Sequence, residues 1–293
     1  MSIAFVTMVY NDAFFLEIWL RHYLKYTQPE HIYVVTHGPQ PYAHEMAKGC
    51  NIIEIERDPR NPRLDQDRFV YLSQFCSELT ASYDRVIWND VDEIVMLDPL
   101  MGSDLTGYID AIPKKQKVVT PLGLEVIHRT DLESDYDYAR GMFAQRRFLR
   151  CNGWYTKPNI TSVPIVWGPD GHGSSHNKIH LDPHLYTFHL KWFDYNFHRN
   201  RHRERLKFRF DDEAGNEVII GAGSWSWSEA TYVIVSNSFL RMRIKSDEGA
   251  FDFSHLRERI LASFVGGANG KYRISWFADG TLHPLPERFI GLI

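Results

Sequence analysis

The chain has 293 residues, 44% hydrophobic and 24% charged, enough to bury a sizeable core as one large domain or one and a half. Its 33 basic and 37 acidic side chains leave a formal charge of −4, which argues against nucleic acid as a principal partner. The three cysteines, Cys50, Cys76 and Cys151, are odd in number and widely spaced, so neither a disulfide framework nor a zinc ribbon is indicated and a reducing compartment is the easier reading.

Ile3 to Val9 is a short apolar run ending in Tyr10-Asn11-Asp12. Phe14, Phe15, Ile18, Trp19, His22, Tyr23 and Tyr26 then recur at helical spacing, which predicts strand, turn and helix with Asn11 or Asp12 as the N-cap. A strand follows from His31 to Thr36, a helical stretch near Tyr42 to Lys48, a strand from Asn51 to Glu56, a longer helix from about Leu64 to Ser82, and the strand Arg85 to Trp88. Strands alternating with helices predict an α/β fold on a parallel sheet. Ligands of such sheets bind outside the carboxyl ends of the strands. Tyr10-Asn11-Asp12, Thr36-His37-Gly38 and Asp90-Val91-Asp92-Glu93 all fall there.

The acidic tetrapeptide is the sharpest of these signals. Carboxylates are hard oxygen donors, and a cation that carries substrate phosphates takes only one or two of them. In an extended segment Asp90 and Asp92 point the same way and Glu93 faces away unless the chain turns. The plain alternative is a solvated loop after a strand.

Thr7-Met8-Val9-Tyr10-Asn11-Asp12, Phe15-Leu16-Glu17-Ile18-Trp19-Leu20-Arg21-His22, His31-Ile32-Tyr33-Val34-Val35 and Trp88-Asn89-Asp90-Val91-Asp92-Glu93-Ile94-Val95 together resemble the family 2-like glycosyltransferases of GT-A fold. Asp12 stands where that family commonly has Glu, and Ile18 is inserted between Glu17 and Trp19. The resemblance covers about the first hundred residues, then scattered points at Lys157-Pro158, Gly171-His172-Gly173 and His189. It implies an open, mostly parallel sheet flanked by helices, with an irregular C-terminal acceptor-binding part. Residues 1–112 would form the nucleotide-sugar half, and 113–293 the acceptor half and C-terminal extension of the same catalytic unit.

It further implies a role in polysaccharide biosynthesis, with a nucleoside-diphosphate sugar, UDP-linked, as donor and a glycan, glycolipid or other hydroxyl as acceptor. The expected cofactor is Mn2+ or Mg2+, held by Asp90, Asp92 and His189. Thr7, Val9, Asn11, Asp12, Asp90, Lys157 and His172 would line the donor site. A carboxylate from the downstream segment must accept the acceptor's proton if the anomeric centre inverts. Asp170 is the first choice and Glu125 the second, each with a surface carboxylate as its alternative.

Beyond about residue 112 the chain changes character. Ile112-Pro113-Lys114-Lys115 ends a helix, Lys117 to Pro121 reads as a strand, and loops rich in His, Trp, Gly and Pro follow. Arg199 to Arg209 is the one basic cluster; as a helix its charges spread around the circumference, so a solvated helix is expected ahead of an anion or membrane-surface site. Tyr232 to Val235 reads as a strand, Leu256 to Phe264 as a helix, and Tyr272 to Leu285 as a hairpin turning at Asp279-Gly280.

His189 lies in the strand-like run Phe188-His189-Leu190-Lys191-Trp192, where the alternative to a ligand is a core histidine. His172 and His176 lie in a glycine-containing loop, which favours an acceptor or diphosphate contact for one of them over a helical ligand pair. Lys157 could neutralise phosphate or lie at the surface. No basic residue precedes the first apolar stretch and no run approaches the roughly 20 apolar residues of a spanning helix. Neither signal nor anchor is expected, and the expected location is the cytoplasm, with peripheral contact at the inner membrane face admitted. Two rival readings are a catalytically silent nucleotide-sugar-binding relative and a metal-dependent nucleotidyltransferase or phosphohydrolase.

Overall fold

The computed structural model describes residues 2–168, 171–207, 209–211, 217–219, 227–246, 251–267, 270–275 and 277–293. Strand β1 (Ile3–Val9) is buried along its whole length. It pairs in parallel with β2 (Ile32–His37) on one side and β4 (Arg85–Trp88) on the other, while β3 (Asn51–Ile55) extends the row beyond β2. Side chains alternate across β1. Ile3, Phe5 and Val9 pack into the core under helices α1 (Ala13–Tyr23) and α4 (Leu105–Ala111), whereas Ala4, Val6 and Met8 pack with Phe69, Leu72 and Cys76 of α3 (Leu64–Leu79). A strand covered by helices on both faces must be apolar on both, and Ile3 to Val9 is. Helix α2 (Pro41–Met46) packs against α1.

The second half completes the same sheet. Strands β5 (Glu93–Leu97) and β10 (Leu181–His189) are antiparallel, and β10 is parallel to β6 (Val118–Ile127), whose ten residues are all buried. Antiparallel to β6 run β7 (Phe148–Asn152) and the short β8 (Ile160–Thr161), the latter joining β4 to β6. Among the described residues the result is one mixed sheet of 11 strands in an α/β chain with seven α-helices.

The mostly parallel sheet expected from the sequence holds for β1 to β4 only; beyond them parallel pairs (β6 with β10, and β13, Arg243–Ile244, with β16, Ala278–Pro284) alternate with antiparallel ones. The regular alternation of strand and α-helix breaks after α4: β6 to β10 follow one another with no α-helix between them, and that stretch contains the antiparallel β7 and β8. Loops do not take over after residue 112; their length hides strands.

Two further expectations are corrected. Tyr232 to Val235 belongs to helix α6 (Glu229–Phe239), not to a strand. Ser228 caps it by accepting from the Thr231 N–H, and Tyr232, Ser236 and Phe239 form its buried stripe, which outweighs the β-propensity of Val233-Ile234-Val235 on the more open side. No hairpin turns at Asp279-Gly280. Strand β16 (Ala278–Pro284) runs through that pair with a register shift against β7, so the Asp-Gly signal marks an irregularity, while β15 (Tyr272–Ile274) pairs with β14 (Phe264–Gly266) and β9 (Gly173–Ser174). On the far side of β16 lies the parallel β13 (Arg243–Ile244).

The basic cluster forms α5 (Tyr195–Leu206), capped by Asp194, and Arg209 begins β11 (Arg209–Asp211), paired with β12 (Glu217–Ile219). Helix α7 (Ser254–Ala262) buries its own Leu256 and Ile260. No helix of the described residues is long and apolar enough to cross a membrane.

Candidate functional site

Because β1, β2 and β4 are parallel, Tyr10 to Asp12, His37 and the acidic tetrapeptide emerge at one edge. The tetrapeptide is not extended. The Glu93 N–H donates to the Asp90 carbonyl at 2.9 Å, closing a turn that sends the chain back as β5. Register then sets a row of ionisable side chains across four strands: Glu93 on β5 opposite His189 on β10, His189 opposite Glu125 on β6, and Glu125 opposite Arg150 on β7. Side chains opposite one another share a face, so the four belong to one surface of the sheet.

The turn divides the acidic residues. Lys157 reaches Glu93 at 2.7 Å and Asp90 at 2.9 Å, and Arg68 on α3 reaches the other Asp90 oxygen at 3.4 Å. Lys157 is buried, contrary to the surface alternative. Burial pulls its ammonium pKa down, but Asp90 and Glu93 outweigh that and hold it above the ordinary value. Burial likewise pushes Asp90 up, and Lys157 and Arg68 more than reverse the effect. Glu93, fully buried, is pushed up by burial against the pull of Lys157, so of the two acids on Lys157 it holds its proton more readily than Asp90.

Asp92 faces elsewhere, with an oxygen 3.7 Å from Nε2 of His189. The His189 ring stacks on Tyr155 at 3.7 Å and 18°, and its Nδ1, buried without a hydrogen-bond partner, lies 4.0 Å from Glu125. Gly123 makes that stack possible, since a Cβ there would meet the backbone of Tyr155 and Thr156 at 2.3 and 2.5 Å. Burial, then Lys191 and Lys157, holds His189 well below its usual range, so its imidazole is neutral. Glu125 accepts from Asn152 at 2.8 Å and lies 3.7 Å from Arg150; burial pushes its pKa up against those partners.

Helix α5 supplies the opposite wall. Arg201 donates to Asp12 at 2.5 Å, so Asp12, which the sequence offers as an N-cap, makes no side-chain cap and is spent on an ion pair. Burial pushes Asp12 up to about 6 despite Arg201. Arg205, one turn on, is pushed down to about 10 by burial and by Arg201, against the pull of Asp92 and Asp12. Buried Lys191 is pushed down to about 8 by burial and Arg205. The solvated-helix reading thus fails for this face of α5, whereas Arg203 does lie exposed on Glu229 at 2.6 Å.

Of the residues expected at the donor site, Asp12, Asp90, Lys157 and His172 converge, and Asn11 is exposed beside them with φ 49°. His172 bonds the Trp154 carbonyl at 2.6 Å and is pushed down to about 3 by burial and Lys157. Thr7 and Val9 are buried instead, Thr7 donating to the Asn89 carbonyl at 3.0 Å and Val9 packing in the core, because a two-sided parallel strand leaves neither side chain free. Asp170 lies outside the described residues. The sequence reading missed Arg68, Tyr155, Lys191, Arg201 and Arg205. Arg201 and Arg205 had a signal, for their spacing of four puts both on one helical face.

For a divalent ion the donors that fit are Asp92 and His189: a hard carboxylate oxygen beside a neutral imidazole whose other nitrogen faces Glu125. Asp90 fits less well, with both oxygens engaged by Lys157 and Arg68. Among the described residues no group of three or more His, Cys, Asp or Glu forms a metal cage of its own. No protein-family model matches the sequence, and no curated protein matches it.

Proposed function

We propose that this protein is a GT-A-like glycosyltransferase that moves a sugar from a nucleoside-diphosphate donor, UDP-linked, to a glycan or other hydroxyl acceptor. The observation that carries the reading is the meeting of Asp92, His189 and Glu125 with the cations of α5 at the carboxyl edge of β1, β2 and β4. A diphosphate leaving group gains negative charge as the sugar–oxygen bond breaks. Arg201, Arg205 and Lys191 supply fixed positive charge against it in a partly desolvated setting, where it counts for more than in water. Asp92 and His189 would hold Mn2+ or Mg2+, which when bound adds charge at the same phosphates. Glu125, with its pKa raised by burial, is the base candidate among the described residues: it would take the acceptor proton on Oε1, since Asn152 holds Oε2.

Purified protein incubated with a panel of nucleoside-diphosphate sugars, Mn2+ and glycan acceptors should release intact nucleoside diphosphate, read by mass spectrometry. Release of pyrophosphate or phosphate instead would assign phosphoryl chemistry. A second reading, nucleotide-sugar binding without turnover, is favoured by one observation: both Asp90 oxygens are already neutralised by cations. It predicts nucleotide affinity with no product.

A further inference from the structure

A cleft of about 330 Å3 lies away from the acidic motif, between the end of β6, the first turn of α5 and the last turn of α6. Its deeper lining includes buried Trp192 and Phe239, packed edge to face at 5.1 Å. Thr130, Asp135, Asn196 and Asn237 form an exposed rim, and none of these four makes a side-chain hydrogen bond to another described residue. The described lining holds no Lys or Arg and carries one carboxylate, so an anionic ligand such as a nucleotide is disfavoured there.

An apolar base under a ring of hydroxyl, amide and carboxylate groups is matched by a ligand with apolar C–H faces and many hydroxyls, each able to donate and accept. The cleft also has a link to the other site: Trp192 lines it, and the same side chain is among the groups that draw down the pKa of buried Glu125.

We propose that this cleft is a saccharide-binding subsite for a neutral glycan. Its assignment as the distal acceptor subsite rests on the transferase reading, whereas saccharide binding itself does not. Trp192 supplies the reporter. Maltose, lactose, cellobiose and sucrose are titrated into the full chain at millimolar concentrations, with tryptophan fluorescence and calorimetry as readouts. At least one should bind, and Asn196→Ala/Asn237→Ala, two exposed helical positions where alanine favours folding, should weaken it tenfold or more while leaving manganese-dependent UDP binding unchanged. If none of the four binds, or the double variant binds equally well, the cleft is not a saccharide site. Saccharide binding without turnover of any nucleotide sugar would remove the transferase reading and leave the cleft assignment standing.

Discussion

Arg201 on α5 and Asp12 at the end of β1 form an ion pair at 2.5 Å across 189 residues of sequence, and this contact ties the second half of the chain to the edge where the acidic motif emerges. Arg201→Met leaves a buried carboxylate without its partner. Asp12, already pushed up to about 6, should rise further and take up a proton near neutral pH. Removing one member of a buried pair costs about 3–5 kcal/mol, but Arg201 is 22% exposed, so about 1–3 kcal/mol is expected in urea unfolding. UDP affinity should fall with it. A variant as stable as wild type with unchanged UDP affinity would exclude α5 from the site.

The turn at Asp90 to Glu93 separates two substitutions that the sequence alone would treat as equivalent. Asp92→Ala should abolish manganese-dependent UDP binding and leave the melting temperature nearly unchanged. Asp90→Ala removes the carboxylate on which Lys157 and Arg68 converge, and should lower stability by about 2–4 kcal/mol by leaving a buried ammonium short of a partner. Calorimetry with UDP and Mn2+, paired with thermal unfolding, reads both. Equal metal-dependent affinity in wild type and Asp92→Ala would make the motif a structural turn.

The difference between those two aspartates marks where the sequence stops being informative. Apolar runs and helical spacing located β1 to β4 and α1 to α3 within a few residues, because burial on both faces writes itself into local composition. The carboxyl-edge rule then brought Asp12, His37 and the tetrapeptide together. What could not be read were contacts fixed by register between distant strands. That Glu93, His189, Glu125 and Arg150 share one row depends on how β5, β10, β6 and β7 pair, and no local pattern encodes that. For the same reason the sequence leaves Lys157 open between a phosphate contact and a surface lysine: its two acidic partners are more than sixty residues away.

Acid should destabilise the protein below about pH 6.5. Burial holds His22 at about 3, His37 at about 4 and His172 at about 3, and His189 and His198 well below the usual range. Between those values and 6.5 the unfolded chain binds more protons than the folded one, so stability is present above 6.5 and lost as pH falls, by about 1.4 kcal/mol per unit for each group. Raised carboxylates act in the opposite sense: Asp12 at about 6, Glu93 at about 8 and Glu125 favour the folded state as they protonate. Among the described residues His128, His176 and His202 are also held low and Glu133 is also raised, so eight histidines stand against four carboxylates and the urea midpoint should be lower at about pH 5.5 than at about pH 7.5. An equal or higher midpoint at the lower pH would mean that these histidines take up protons in the folded state.

His189 decides whether the row across the sheet is chemistry or core. Its ring is held by Tyr155 on one face, with Asp92 at one nitrogen and Glu125 near the other, so its orientation is fixed before any ligand arrives. A group so placed and acting on leaving-group charge is worth more in the transition state than in the ground state, so His189→Ala should lower kcat at least as much as it weakens donor binding. Asn at this position separates the roles, since an amide donates a hydrogen bond but is a poor manganese ligand. If donation is what matters, His189→Asn keeps much of the activity; if ligation matters, it behaves like alanine and its UDP affinity no longer responds to Mn2+. Should His189→Ala keep wild-type turnover and only lower the melting temperature, the ring is packing for Tyr155, and His172 becomes the next histidine to test.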